Sequence, residues 1–281
     1  MPKKIIESTS RFEKIIKPII QRVKYPRGFR HCVMIMGCQR SGTTLISNIF
    51  NKLPYSRVYG EFSKLSNHDT DRLRLNSVDS ILEEIKNIYA PLIVMKPLVE
   101  SQNALSLLNS VPSSQVLWIY RHYLDVAKSD ALKFSATAGH GNLQAIITND
   151  EKNWRCQGLD KETRYKIKTI YSEKLSGLEC SSLFWYARNS LYFQQNLRKH
   201  KNVSLWSYEH FLTDVAGHFN RLLVPQGFNL PSLDLAKDTY LNVANDSAIS
   251  PIHQDVEILC ANLYKKISDC VNEFKEESCI N

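Results

Sequence analysis

The sequence lacks any apolar run that approaches the roughly 20 residues needed to cross a bilayer, so no membrane-spanning segment is predicted. The amino-terminal residues Met1–Glu7 contain neither a long apolar core nor a cleavage site, so no secretory signal is expected. The seven cysteines are odd in number and form no CxxC pair. This pattern predicts no zinc or other metal site, and it favours reduced thiols in a cytoplasmic protein.

The net positive charge of the chain is concentrated in the first 30 residues. The formal net charge is +8, but residues 1–30 hold nine Lys/Arg and two Glu, so the rest of the chain carries only +1. Aromatic and basic residues do not alternate along any stretch, and no nucleic-acid-binding module is recognisable, so a nucleic-acid partner is not expected.

The basic segment 1–30 has apolar residues at helical spacing, among them Phe12, Ile15, Ile19 and Val23. It therefore predicts a basic amphipathic helix. We expect its apolar side to pack across the domain and its basic face to be solvated. Binding of an acidic partner or a lipid surface is the alternative.

Apolar runs alternate with segments of helical periodicity, which predicts an α/β fold: one domain over 1–281, with a central parallel sheet flanked by helices on both faces. A polar stretch, 135–180, interrupts this alternation. Its glycines predict a mobile loop over 136–142, and 159–175 has the pattern of a charged helix. Strands are expected at Cys32–Met36, Arg57–Tyr59, Leu92–Met95, Val116–Tyr120 and Val203–Trp206, and helices at 44–52, 77–89, 104–109, 123–134, 181–199, 209–224 and 254–276.

The most informative segment follows the first predicted strand. The phosphate-loop pattern G-x-x-x-x-G-K-[ST] matches at Gly37, Gly42 and Thr44, but Thr43 stands in the lysine position. Backbone N–H groups at a helix N-terminus still favour an anion there. Without the lysine that reaches the β- and γ-phosphates, the loop is better suited to a phosphate or sulfate than to a triphosphate, and Arg40 supplies a cation.

This Arg-Ser-Gly-Thr-Thr segment resembles the 5′-phosphosulfate loop of sulfotransferases that use 3′-phosphoadenosine 5′-phosphosulfate (PAPS). The resemblance implies a sulfotransferase version of the P-loop fold, PAPS as the sulfuryl donor, 3′,5′-ADP as its product, and no metal requirement. The residues that it assigns to the donor are Arg40, Ser41, Gly42, Thr43, Thr44 and Leu45.

A second motif strengthens the resemblance. Arg121 follows the predicted strand Val116–Tyr120, and Ser129 lies eight positions further on. The pattern is similar to the family motif in which an arginine and a serine bind the ribose 3′-phosphate. Open α/β sheets bind ligands at the carboxyl ends of their strands, where Arg121 is expected. The family has Asn-Pro or Asp-Pro after the arginine, whereas this chain has His122-Tyr123.

Two residues are candidates for the chemistry. Glu61 follows a short predicted strand and resembles the Gly-Glu segment of Golgi-type and tyrosylprotein sulfotransferases, which implies that it is the general base. Lys96 ends an apolar strand and resembles the family lysine at the bridging oxygen, so with Arg40 it would stabilise developing charge. The histidine base of the classical cytosolic branch is missing after Lys96, and His68 and His140 are the reserve candidates.

The resemblance extends to Tyr208, which follows the last predicted strand and would contact the adenine. The family's Arg-Lys-Gly loop is not found near the C-terminus. Segment 135–180 is expected to form a lid over the acceptor, or else a surface insertion. In length and general sequence character the chain is similar to bacterial sulfotransferases of secondary metabolism, such as those of the saxitoxin pathway.

The resulting hypothesis is a cytoplasmic sulfotransferase, monomeric or homodimeric. It would move a sulfuryl group to a hydroxyl or an amide or carbamoyl nitrogen of a small molecule, with a secondary metabolite or an alkaloid of the saxitoxin type as the acceptor class. Two alternatives are a P-loop nucleotide or small-molecule kinase and a nucleotide-binding protein without turnover.

Overall fold

The computed structural model describes residues 15–66, 72–231 and 251–278, with side chains of the last helix described to residue 271. Its centre is a five-stranded parallel sheet in the order β2-β3-β1-β4-β5. The predicted α/β class is confirmed, and each expected strand is present to within two residues at either end. The strands are β1 (His31–Gly37), β2 (Ser56–Tyr59), β3 (Leu92–Met95), β4 (Ser114–Tyr120) and β5 (Val203–Ser207).

The sheet is covered on both faces, which explains its near-continuous apolar strands. Every residue of β1 is buried, as is every residue of β4 except Gln115. Alternate side chains of β1 enter two different cores: Met34 belongs to one cluster, and Ile35 to the other.

The helices are α1 (Lys17–Lys24), α2 (Thr43–Lys52), α3 (Val78–Lys86), α4 (Ala104–Ser110), α5 (Tyr123–Lys133), α6 (Ala138–Ile147), α7 (Lys161–Ile170), α8 (Gly177–Gln194), α9 (Tyr208–Thr213), α10 (Val215–Leu223) and α11 (Gln254–Ser278).

The larger core lies between the sheet and a helical layer organised by α8. A capping box formed by Ser176 and Glu179 fixes the start of this helix. Trp185 and Leu191 are fully buried on α8, and the helix also buries Arg188. Helices α5, α6 and α11 pack against it. On the other face α2, α9 and α10 enclose Phe50, Phe211 and Phe219, which form edge-on and tilted aromatic contacts.

The expectation of a mobile loop over 136–142 is wrong, because most of it belongs to helix α6. Leu143 and Ile146 of this helix are fully buried in the larger core. Gly139 packs so closely that an added Cβ would lie 2.2 Å from the carbonyl oxygen of Gly177. The glycine therefore permits close packing of α6 on α8, and spacing alone could not distinguish that role from loop flexibility. The predicted charged helix is present as α7.

The amino-terminal helix packs the opposite way from the expectation. Within the described residues it is the short helix α1, and its buried residues are the polar Lys17 and Gln21. Ile15, Ile19 and Val23 are exposed instead. Backbone carbonyl groups between the end of α2 and the start of β2 accept hydrogen bonds from these two side chains, and the apolar pattern gave no sign of them. The rest of the predicted helix over 1–30 includes residues 1–14, which lie outside the described residues.

Two other predictions need adjustment. The helix expected over 209–224 is divided at Asp214, whose carboxylate accepts a hydrogen bond from Gly217 N and so begins α10. The helix expected to run to Lys199 ends at Gln194, before Asn196 adopts a left-handed conformation with φ 51°. His68 lies outside the described residues. None of the helices in the described ranges is long and apolar enough to cross a membrane.

Candidate active site

The phosphate-loop segment lies at the carboxyl end of the sheet, between β1 and α2. Strand β1 has β3 on one side and β4 on the other, so the chain leaves it at the point where the strand order reverses direction. Open α/β sheets bind ligands at this place. The loop residues predicted from the sequence therefore stand where the topology itself forms a crevice.

Two glycines give the loop its path. Gly37 has φ 125°, and an added Cβ would lie 2.2 Å from the carbonyl oxygen of Ile119. Gly42 has φ 88°, and an added Cβ would lie 2.2 Å from the ring of Tyr208. Arg40 also has a positive φ, 66°. Side chains other than hydrogen at positions 37 and 42 would displace the neighbouring strand or the tyrosine.

The base of the loop is held by buried polar side chains that the sequence did not single out. Ser101 Oγ is 3.1 Å from both Gly37 N and Gly37 O. Asp130, 2% exposed, accepts hydrogen bonds from Gln39 Nε2 at 3.1 Å and Ser181 Oγ at 3.0 Å. Burial raises the pKa of the Asp130 carboxyl, although these two hydrogen bonds act in the opposite direction. Asp130 thus ties the loop to α8.

One loop side chain reaches the second motif directly. Arg40 donates to Ser129 Oγ through Nε at 3.1 Å and through a terminal guanidinium nitrogen at 2.9 Å. Ser129 lies on α5, two turns after Arg121. The fold therefore joins the two segments that the sequence predicted to bind opposite ends of one ligand.

Two buried donors at the site have no hydrogen-bond partner among the described residues. They are Ser41 Oγ, in a fully buried loop residue, and Arg121 Nε, at the end of β4. Buried polar atoms are nearly always paired, since leaving one unpaired costs about 1–3 kcal/mol. An anion accepts hydrogen bonds, so both atoms fit a phosphate or sulfate group.

Two of the three predicted catalytic residues, Lys96 and Glu61, form a cluster at the opposite side of the loop, whereas the third, Arg40, pairs with Ser129. Lys96 Nζ lies 3.1 Å from Thr44 Oγ1 and 3.1 Å from Glu61 Oε2. The lysine side chain is 10% exposed and that of the glutamate 25%. Lys96 follows β3 and Glu61 follows β2, so neighbouring parallel strands bring the pair together. The cluster places an ammonium group at the first turn of α2.

A third group surrounds the turn after β4. The Arg121 guanidinium lies 4.6 Å from the centre of the Tyr208 ring, which in turn covers Gly42. Burial raises the pKa of the Tyr208 hydroxyl. Glu209 accepts hydrogen bonds from His122 N at 2.9 Å and Ser207 Oγ at 2.8 Å, and Trp185 Nε1 donates to Arg121 O at 2.9 Å. Glu209 and Trp185 therefore hold the turn that carries Arg121.

The structure thus brings together most of the predicted residues, in three adjoining groups. Thr43 is buried at the start of α2, and the half-buried side chain of Leu45 packs against the core that contains Phe50. The reserve base His140 instead contacts Leu175 O at 2.9 Å and Cys180 Sγ at 3.5 Å. Ser101, Asp130 and Trp185 were missed because their contacts join distant parts of the chain. Glu209 could have been found from the sequence, because it directly follows Tyr208, which the resemblance had already singled out.

No family model and no curated protein sequence matches this chain. Three solved sulfotransferase structures are similar to it. They are a sulfotransferase from Alicyclobacillus acidocaldarius (12% identity, 87% of this chain and 95% of that chain, TM-score 0.48), the sulfotransferase domain from the Synechococcus PCC 7002 olefin synthase (11%, 85% and 96%, 0.45), and the sulfotransferase domain from the curacin biosynthetic pathway (10%, 86% and 99%, 0.46).

Proposed function

We propose that this protein is a sulfotransferase that uses PAPS as donor and a small molecule as acceptor, with a hydroxyl or an amide or carbamoyl nitrogen as the accepting group. The observation that supports this most directly is the position of Lys96. Its ammonium group contacts Thr44 in a phosphate loop whose own lysine position is Thr43, and it also contacts Glu61. The site thus has a cation beside an anion-binding loop and a carboxylate paired with that cation, which are groups suited to charge stabilisation and proton transfer.

The unpaired donors indicate how a doubly phosphorylated nucleotide would be held. Arg121 Nε and Ser129 would bind the 3′-phosphate, while Ser41 Oγ and the loop N–H groups would bind the 5′ end. Tyr208 lies against the loop and offers a ring beside the base. Arg40 reaches Ser129 already, so the two phosphate positions are adjacent and share one hydrogen-bond network.

PAPS, when bound, supplies the sulfuryl group; the protein supplies positioning, proton transfer and charge stabilisation. In our proposal Glu61 accepts the proton of the acceptor hydroxyl or nitrogen. Lys96, fixed between Thr44 and Glu61, donates a hydrogen bond to the oxygen on which negative charge develops. Groups that are already oriented need no reorganisation during the reaction, which is where such electrostatic stabilisation gains its effect.

The kinase alternative is disfavoured by the same contact. In a phosphate-loop kinase the hydroxyl at the position of Thr44 binds Mg²⁺, and a lysine occupies the position of Thr43. Here the Lys96 ammonium lies 3.1 Å from that hydroxyl. A divalent cation at Thr44 would have to displace this ammonium or stand beside it against electrostatic repulsion.

Two measurements on the purified protein test the proposal. Calorimetry should show tighter binding of 3′,5′-ADP than of AMP, because only the former carries the 3′-phosphate. Incubation with ³⁵S-labelled PAPS and a panel of alcohols, phenols and carbamates should label at least one acceptor class, also in the presence of EDTA. Equal affinity for both nucleotides would refute the donor assignment, while magnesium-dependent turnover of ATP would favour the kinase.

A further inference from the structure

The short helix α1 is attached to the domain by its polar side. Lys17 Nζ donates to Asn51 O at 2.6 Å and to Ser56 Oγ at 3.1 Å. One turn later, Gln21 Nε2 donates to Pro54 O at 2.9 Å and to Ser56 O at 2.8 Å. Lys17 is 4% exposed and Gln21 is 3% exposed. These hydrogen bonds fix which face of the helix points away from the protein.

The face that points away is apolar. Ile15 is 52% exposed, Ile16 46%, Ile19 59% and Val23 81%. Ile15 and Ile16 belong to the helical turn directly before α1, and at about 100° per residue the four side chains form one continuous stripe, opposite Lys17 and Gln21. Single exposed apolar residues are ordinary on protein surfaces, but four on one helical stripe indicate an interaction site. We call these four residues the α1 stripe.

Basic residues border the α1 stripe. On the helical projection Arg22 lies at one margin of the stripe, whereas Lys24 lies at the end of the helix, two turns after Lys17; both are exposed. Arg27 and Arg30, which follow the helix, are also exposed. The whole segment 1–30 carries a net charge of +7. An apolar stripe with a cationic residue at its margin and further basic residues at the end of the helix is the pattern of a helix that lies in the plane of a membrane interface.

We propose that α1 attaches this protein to the surface of a bilayer that contains anionic lipid. The stripe would enter the boundary between headgroups and acyl chains, while Arg22 at its margin would contact the anionic headgroups. A second copy of the chain fits this surface less well, since a two-fold contact sets the same basic patch against itself. The charge of the patch thus selects a lipid surface over self-association.

The attachment would leave the candidate active site accessible. Helix α1 contacts Asn51, near the end of α2, and Ser56, at the amino end of β2. The phosphate loop precedes the other end of α2, roughly 15 Å away at 1.5 Å per residue. The proposal is independent of the sulfotransferase assignment, and lipid binding and group transfer should fail separately.

Co-sedimentation of the full chain with vesicles tests this proposal. Binding is expected with phosphatidylcholine vesicles that contain phosphatidylserine, weaker binding at high salt, and little binding to phosphatidylcholine alone. The double variant Ile19→Asp/Val23→Asp should lose binding, whereas Ile258→Asp, at a 50% exposed position on α11, should bind like the parent protein. Arg22→Gln should lower the partition coefficient about fivefold, as expected for one charge near an anionic surface.

The stripe side chains are largely exposed, so melting curves of these variants should match that of the parent protein and separate lost binding from lost folding. Unchanged co-sedimentation of Ile19→Asp/Val23→Asp would overturn the proposal, and so would equal binding to neutral and anionic vesicles. Sedimentation velocity provides a further criterion. A dimer that dissociates in Ile19→Asp/Val23→Asp would assign the stripe to a second copy and overturn it as well.

Discussion

The two sides of the phosphate loop differ in how their polar atoms are satisfied. On the side of β2 and β3, the Lys96 ammonium contacts both Thr44 and Glu61, so each of the three side chains has a polar partner. On the side of β4, Arg121 Nε has no hydrogen-bond partner among the described residues, and neither does Ser41 Oγ within the loop. The difference suggests a division of labour. A cluster that is complete without ligand suits chemistry, and buried donors without partners suit binding.

The two sides of the loop therefore also differ in their effect on the stability of the folded protein. A buried donor without a partner is destabilising by about 1–3 kcal/mol, and an anion that pairs with it relieves the cost. The paired cluster carries no such penalty. Substitutions on the β2–β3 side should therefore reduce turnover and spare nucleotide affinity, whereas substitutions on the β4 side should do the reverse.

The largest effect is expected from Glu61→Gln. This change keeps the shape of the side chain but removes the proton acceptor, so kcat for transfer from PAPS should fall about 10²- to 10⁴-fold. Calorimetry should give an unchanged Kd for 3′,5′-ADP, because the glutamate faces the acceptor in our proposal. Glu83→Gln, at an exposed glutamate paired with Lys86, is the matched control. Wild-type turnover in Glu61→Gln would move the base assignment to His68 or His140.

A somewhat smaller loss is expected from Lys96→Met. Removing one oriented donor to a developing charge typically costs about 10²- to 10³-fold in kcat. The methionine keeps much of the side-chain volume in this nearly buried position. Lys64→Met removes a surface lysine, paired with Glu84 at 3.2 Å, and should leave kcat unchanged. Steady-state kinetics decides the matter, and equal kcat values for the two variants would contradict a catalytic role for Lys96.

On the other side of the loop, Arg121→Met should act on affinity. A hydrogen bond to a charged group contributes about 1.5–3 kcal/mol, so the affinity for 3′,5′-ADP should fall about 10- to 100-fold. AMP lacks the 3′-phosphate, and its affinity should change little, which makes it an internal control. Arg121→Lys should also lose much of the preference, because lysine keeps the charge but lacks the planar guanidinium. Both variants can be compared by calorimetry at fixed salt.

An unchanged ratio of the two nucleotide affinities in Arg121→Met would show that the unpaired Nε is not a ligand-binding atom. A parallel fall in both affinities would instead indicate that the turn has collapsed, since Arg121 also lies against Tyr208 and its carbonyl accepts from Trp185. Ser129→Ala should have a milder effect in the same direction. Its hydroxyl is one neutral partner of Arg40.

These comparisons depend on residues of two kinds. Gly37, Arg40, Glu61, Lys96 and Arg121 could be selected from the sequence because each stands beside a recognisable strand end. Parallel strands bring their carboxyl ends to one edge, so the order of elements was enough to place them together. Ser101, Asp130 and Trp185 could not be selected. Their functions arise from contacts between segments that are far apart in sequence, and hydrophobic periodicity carries no information about such pairs.

The errors of prediction have a common physical origin. Helical spacing identified α1 correctly, but the direction of its apolar face was decided by Lys17 and Gln21, which find carbonyl groups at Asn51 and Pro54. The glycines of α6 suggested a loop, and close packing of Gly139 on α8 decided otherwise. In both cases a tertiary partner, rather than local propensity, determined the outcome.

The smallest expected effect concerns the turn that carries Arg121. Burial lowers the pKa of His122, as it does for His31 and His218, below the ordinary value of 6.5. A depressed pKa means that the unfolded state binds the proton more readily, so stability is full above pH 6.5 and declines as the pH falls through that value. The melting temperature should therefore be lower at pH 5.5 than at pH 7.5.

His122→Asn separates the turn from the other two histidines. The His122 ring accepts from Leu124 N at the start of α5, and asparagine is a favourable residue at that capping position. The variant should keep the helix and show a smaller loss of melting temperature between pH 7.5 and 5.5, because His31 and His218 still titrate. If the loss is as large as in the parent protein, protonation of His122 does not destabilise the fold.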